Sequence, residues 1–165
     1  KLFHNENAYE VFEQLVKYGL LNYLFPQTEE TPFINKTLLN TSKRIKSGKP
    51  VTPAFLFAVF LWEAQNKRFN ELNKKKKSRI LTMTQASEDV ISKQTKQILM
   101  PRWLSARVKD IWLMQHQLEN CSTKKAKELI GHPRFRMAYD FLVLRSESIN
   151  PELAERAKYW TKLQQ

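Results

Sequence analysis

Seven side chains within 22 consecutive residues could do chemistry: Lys124, Lys125, Lys127, His132, Arg134, Arg136 and Arg145. All but His132 are cations at neutral pH. Lysine and arginine offer hydrogen-bond donors matched to phosphate oxygens, which points to binding of a polyanion. The last four fall in the run GHPRFRMAYDFLVLRSES, residues 131–148. Proline disfavours helical backbone in the residue before it, so Gly131-His132 separates two helices and Pro133 opens the second. The first turn of that helix has free N–H groups that suit an anion. Cations placed there oppose the helix dipole, at about 0.3–1 kcal/mol each when nothing negative answers them. Asp140 stands four residues after Arg136 and can pair with it, but Arg134 has no such neighbour in its own helix. At about 100° per residue, Arg145 returns to within roughly 20° of Arg134, roughly 16 Å further along the same edge. Two readings fit both arginines. They address successive phosphates of a single strand, with Lys124, Lys125 and Lys127 extending the track, or they tie neighbouring helices together through Asp110, Glu147 or a backbone carbonyl.

Other chemistry finds little support. Metal-dependent phosphoryl or nucleotidyl transfer needs carboxylates that converge on a cation. The only aspartates, Asp89, Asp110 and Asp140, lie at least twenty residues apart. Glu88 and Asp89 are adjacent, which separates them by about 100° on a helix. Cys121, His116 and His132 lack metal-ligand spacing. The three glycines are isolated, so there is no phosphate-cradling loop motif. No catalytic residue, metal ligand or cofactor site is expected in these 165 residues. Cys121 is the single cysteine, which excludes an intramolecular disulfide and suits a reducing, cytoplasmic setting. No apolar run approaches the roughly 20 residues of a membrane span.

The elements that position these residues read as helices throughout. Three glycines leave little material for hairpin turns. Ala8, Val11, Phe12, Leu15 and Val16 share one helical face, and Gly19 and Pro26 punctuate its end. The apolar LLNYLFP that follows reads as a tight connection, with Leu20, Leu21, Leu24 and Phe25 expected to be buried. Ile34, Leu38 and Ile45 mark a helix stopping near Gly48, and Thr52-Pro53 caps a largely buried one. Helices follow over Ile80–Ile98, from a Ser105 cap to Leu118, from a Ser122 cap to a Gly131 stop, and after Pro133 and Pro151. Phe135, Tyr139, Trp112 and Trp160 fall at core spacing. The expected fold is all-α, a multi-helix bundle of about seven to nine helices with no sheet, divided into residues 1–100 and 101–165.

Charge is distributed unevenly. Residues 1–33 hold two basic and five acidic groups, 34–100 fourteen against four, and 101–165 twelve against seven. The overall net of +12 points to a polyanionic partner met by everything after residue 33. NKKKKSR at 73–79 reads as a solvated linker or exposed helix end. The chain opens on Lys1 within a helical pattern, so a piece of a longer protein is expected.

PRWLSARVKDIWLMQHQL, then KKAKELIGHPRFRMAYDFLVLRSES, then YWTKLQQ resembles the C-terminal half of bacterial poly(A) polymerase I, a polynucleotide adenylyltransferase family. The likeness extends upstream through VTPAFLFAVF and AYEVFEQLVKYGLLNYLFP, and is most specific from Lys124 to Ser148. It departs from the family pattern at NKKKKSR, at Tyr159-Trp160 where paired tryptophans are usual, and at Leu163 in place of a phenylalanine. The resemblance implies a helical, RNA-binding body whose parent enzyme adds AMP from ATP to RNA 3′ ends, which promotes decay. ATP and Mg would belong to a catalytic head preceding this region, and this piece alone would be inactive. Partners implied are single-stranded RNA 3′ ends and an RNA helicase or decay factor. The alternative from the residues is a protein-docking scaffold whose basic surface is incidental.

Overall fold

The computed structural model describes residues 2–73 and 78–165, and Lys74 to Lys77 of the basic run lie outside them. Ten α-helices and one 3-10 turn occur among the described residues, with no strand. They are α1 (Ala8–Lys17), α2 (Leu21–Leu24), α3 (Pro32–Lys46), α4 (Pro53–Phe60), α5 (Trp62–Asn73), α6 (Arg79–Thr95), α7 (Arg102–Asn120), α8 (Thr123–Ile130), α9 (Phe135–Ser148) and α10 (Ala154–Leu163), with the turn at Pro151–Leu153. The fold is all-α, with more helices than the seven to nine expected. LLNYLFP contains α2 instead of forming a plain connection, and α5 begins at Trp62, separated from the end of α4 by Leu61 alone.

Local sequence explains most boundaries. Thr31 and Thr52 each cap a helix with Pro at its first position, their hydroxyls accepting from Ile34 N and Phe55 N. Gly19 and Gly48 follow α1 and α3 with φ of 67° and 68°, a left-handed conformation that glycine adopts without a Cβ clash. Three expected caps shift. Gly131 has an ordinary right-handed φ of −71°, so nothing in its backbone requires glycine. Ser105 lies inside α7, which starts at Arg102 after Pro101. After Pro133, α9 starts only at Phe135, with Arg134 at the cap position.

The core explains why α9 matters. It packs against α3, α4, α7, α8, α10 and the 3-10 turn. Phe141 at its centre meets Phe33, Phe55 and Trp62 edge-on, at ring-centroid distances of 5.1, 5.9 and 5.2 Å. Through such contacts the larger apolar cluster runs from Phe3 to Leu144 and draws side chains from both sides of residue 100. A smaller cluster joins α7, α8, α9 and α10 around Phe135 and Trp160. Phe135, Tyr139, Trp112 and Trp160 are all buried. Of the four apolar residues in the α1–α2 region, Leu21 and Phe25 are buried and Leu24 partly so, while Leu20 is exposed.

Candidate functional site

The residues named from sequence separate into two groups. Lys124, Lys125 and Lys127 are exposed on α8, which bears its apolar Ala126 inward. The chain then turns through Gly131 and His132, both exposed, into α9. His132 Nδ1 accepts a hydrogen bond from the Arg134 N–H at 3.1 Å. That bond satisfies a donor at the helix entry and leaves the ring proton on Nε2. Arg136 side chain is 70% exposed and pairs with Asp140 at 3.2 Å, the i,i+4 partner read from sequence. Its guanidinium also lies over the Tyr139 ring, 5.6 Å from the centroid. Arg134 does have an acidic neighbour, although in another helix: its Nε approaches Asp110 of α7 at 3.5 Å. Both pairs are solvated, so they hold the guanidinium groups loosely in place without consuming them.

Arg145 does not join this surface. It is 6% exposed and serves as a helix-to-helix tie. Nη1 donates to Glu119 at 2.7 Å and to Gln115 at 3.1 Å, both on α7, while Nε donates to Asn150 at 3.2 Å. The guanidinium also lies 4.5 Å from the centroid of the Trp62 ring. Burial lowers its pKa, against the opposing pull of Glu119. The edge expected to carry both Arg134 and Arg145 therefore exists only at its start. Arg134 precedes the regular helix, and the second half of α9 is enclosed by its neighbours, with Phe141, Leu142, Leu144 and Arg145 all buried.

The structure adds cations that sequence reading missed. An open groove of about 930 Å³ runs between α3 and α9. Lys36, Lys43 and Arg44 line it from α3, and Arg136 and Glu147 from α9. Lys36 spans it to Glu147 at 3.0 Å, and Arg44 donates to the Pro50 carbonyl at 3.3 Å. The buried Thr37 also lines the groove, and its hydroxyl has no hydrogen-bond partner. Arg136 thus joins the α8–α9 turn to this second row of cations. Periodicity marks α3 as amphipathic, but it does not say which helix faces its polar side.

The described carboxylates do not fit a catalytic cation. Each aspartate is engaged by an arginine: Asp89 by Arg68 at 2.7 Å, Asp110 by Arg134 and Asp140 by Arg136. Burial alone would raise the Asp89 pKa, yet hydrogen bonds from Arg68 and Gln85 bring it below its ordinary value. Among the described residues, no three of His, Cys, Asp and Glu come together. No helix among them is long and apolar enough to cross a membrane.

Two family models match the chain. One, described as the polymerase A arginine-rich C-terminus, covers residues 75–165, and the other, described as a probable RNA and SrmB-binding site of polymerase A, covers residues 1–31. Poly(A) polymerase I of Escherichia coli O6:H1 is 32% identical, that of Salmonella typhimurium 31% and that of Haemophilus influenzae 28%. Each comparison covers 99% of this chain and 38–39% of the relative, so the chain spans well under half their length.

Proposed function

Because this chain belongs to the bacterial poly(A) polymerase I family, we propose that it holds single-stranded RNA near a 3′ end while a catalytic head adds AMP from ATP. The observation that carries the reading is a row of exposed or half-exposed cations, interrupted by His132, that Arg136 links to the α3–α9 groove. It begins with Lys124, Lys125 and Lys127 on α8, crosses His132, Arg134 and Arg136, and enters the α3–α9 groove at Lys43 and Arg44. Such a path binds through the phosphate backbone and releases counterions, so it is indifferent to base sequence and sensitive to salt. Arg145 is left out of it, since its guanidinium is held inside by Glu119 and Gln115.

Adenylyl transfer belongs in this reading to the whole enzyme, working in the cytoplasm, and the tail it adds marks RNA for decay. ATP and Mg would be held by the head, because among the described residues no three of His, Cys, Asp and Glu converge. The division at residue 100 enters as a division of labour. Residues 101–165 supply the cations of α8 and α9, and residues 1–100 supply those of α3. Fluorescence anisotropy with a labelled single-stranded oligonucleotide over a salt series tests this. A log–log slope of several times about −0.7 supports phosphate contacts, and a flat slope rejects them. With unlabelled RNA and ATP, this chain alone is expected to add no AMP, and robust ATP-dependent tailing would overturn the assignment of chemistry to a separate head.

A second reading concerns the other end. Tyr18, Leu20 and Tyr23 are exposed, within a segment of five acidic and two basic groups. An acidic, apolar surface suits a protein better than a phosphate backbone. Within residues 1–31, the match to a family described as a probable RNA and SrmB-binding site supports docking of an RNA helicase or decay factor there, beside RNA. Replacing Leu20 and Tyr23 by Ser should then abolish helicase capture while leaving the RNA salt slope intact. Loss of RNA binding with capture retained would reject it.

A further inference from the structure

A second cavity, of about 170 Å³, lies between α5, α6, α7 and α9, apart from the strand path described above. Trp62, Asn66, Arg79, His116, Glu119 and Arg145 line it. Hydrogen-bond donors predominate, and two of them are unspent, of which the Trp62 indole N–H is fully buried. The bonds from Arg145 Nε and Nη1 leave Nη2 without an acceptor among the described residues. Trp62 is 3% exposed, and its indole Nε1–H is buried with no acceptor. The other buried tryptophans differ: Trp112 donates to the Ala58 carbonyl at 3.0 Å and Trp160 to the Leu118 carbonyl at 2.9 Å. A buried donor left unmatched against a cavity calls for an explanation.

Charge narrows what the cavity can take. Two arginines face one glutamate across it, and Glu119 is already engaged by Arg145 at 2.7 Å. Arg79 is exposed, with its guanidinium over the Phe69 ring, 5.4 Å from the centroid. Burial, and then the charge of Arg79, lower the pKa of His116, against the opposing charge of Glu119. Water would fill the volume and satisfy donors, but a neutral molecule leaves that excess charge unanswered.

We propose that this cavity binds a phosphate group, with Trp62 Nε1–H, Arg145 Nη2 and Arg79 as its donors. The site stands without the strand path, because it is built from α5, α6, α7 and the buried end of α9 and shares no residue with that path. Its ligand is defined by the anion, whether free phosphate or a phosphate carried on a nucleic-acid end.

The test uses indole N–H resonances of the four tryptophans, with Trp62 assigned by its loss in Trp62→Phe. Inorganic phosphate is titrated at constant ionic strength against chloride. The expected result is a saturable shift of the Trp62 resonance, absent with chloride, while Trp112 and Trp160 stay still. Arg79→Gln, an exposed change that leaves the core intact, should weaken that affinity about tenfold, as loss of a charged hydrogen bond does. A 5′-phosphorylated and an unphosphorylated oligonucleotide then distinguish the sources. Movement of Trp62 with the phosphorylated one alone assigns a nucleic-acid end, and movement with neither assigns the free anion. A Trp62 resonance that inorganic phosphate leaves in place, or that moves equally in chloride, overturns the proposal. So does an Arg79→Gln protein with unaltered phosphate affinity.

Discussion

At the entry to α9, the side chains of Arg134 and Arg136 are 33% and 70% exposed, each beside one aspartate. Nine residues after Arg136, at the far end of the same helix, Arg145 has lost nearly all its solvent and gained Glu119, Gln115, Asn150 and the face of Trp62. The side chain is the same, and the neighbouring helices make the difference. A guanidinium in water keeps most of its donors for whatever arrives, whereas a buried one must be met by fixed partners or it destabilises the fold. Position along a central helix therefore decides whether an arginine can bind a strand or holds the body together.

The largest effect should come from the buried end. Arg145→Gln leaves Glu119 without its partner in a mostly enclosed site and is expected to cost about 3–5 kcal/mol, read as a lowered Tm. A change below about 1 kcal/mol would make Arg145 equivalent to a surface arginine and erase the contrast. At the exposed end, Arg134→Gln with Arg136→Gln should shift stability by no more than about 1 kcal/mol. The salt slope for a single strand should shrink by about 1.4. Lys43→Gln with Arg44→Gln should give a similar loss if the path continues into the groove. An unchanged slope there would end the path at Arg136.

The smallest effect is on pH. The pKa of His116 is lowered from 6.5, chiefly by burial, and that of His4 is lowered likewise. The unfolded chain therefore binds protons more readily than the folded one just below pH 6.5. Stability should be fully present above that value and fall as the pH drops through the lowered folded pKa. His116→Gln should flatten part of this dependence, and a Tm that rises on acidification would contradict the burial of His116.

The all-α fold was legible because periodicity, proline caps and scarce glycine agreed, as at Thr52-Pro53 and Gly48. The Arg136–Asp140 pair was legible because both residues lie on one helix. Arg134 with Asp110, Arg145 with Glu119 and the α3–α9 groove were not, because each is a contact between elements far apart in sequence. Helical geometry put Arg145 on the edge of Arg134, but it holds no information on how many neighbours enclose each end. Gln115 and Glu119, four apart on α7, form a ready polar clamp, but nothing in the order of residues names its occupant.

The central claim is that phosphate contacts run from α8 across the start of α9 into the groove. A salt titration of single-strand binding tests it most directly, comparing two proteins that each lose four positive charges. One carries Gln at Arg134, Arg136, Lys43 and Arg44, and the other carries Gln at the exposed Lys17 of α1, Lys67 of α5, Lys93 of α6 and Lys96 just after it. The first should lose about 2.8 from its log–log slope, and the second should keep the parent slope. Equal losses in the two proteins would contradict the claim, since binding would then follow net charge rather than this path.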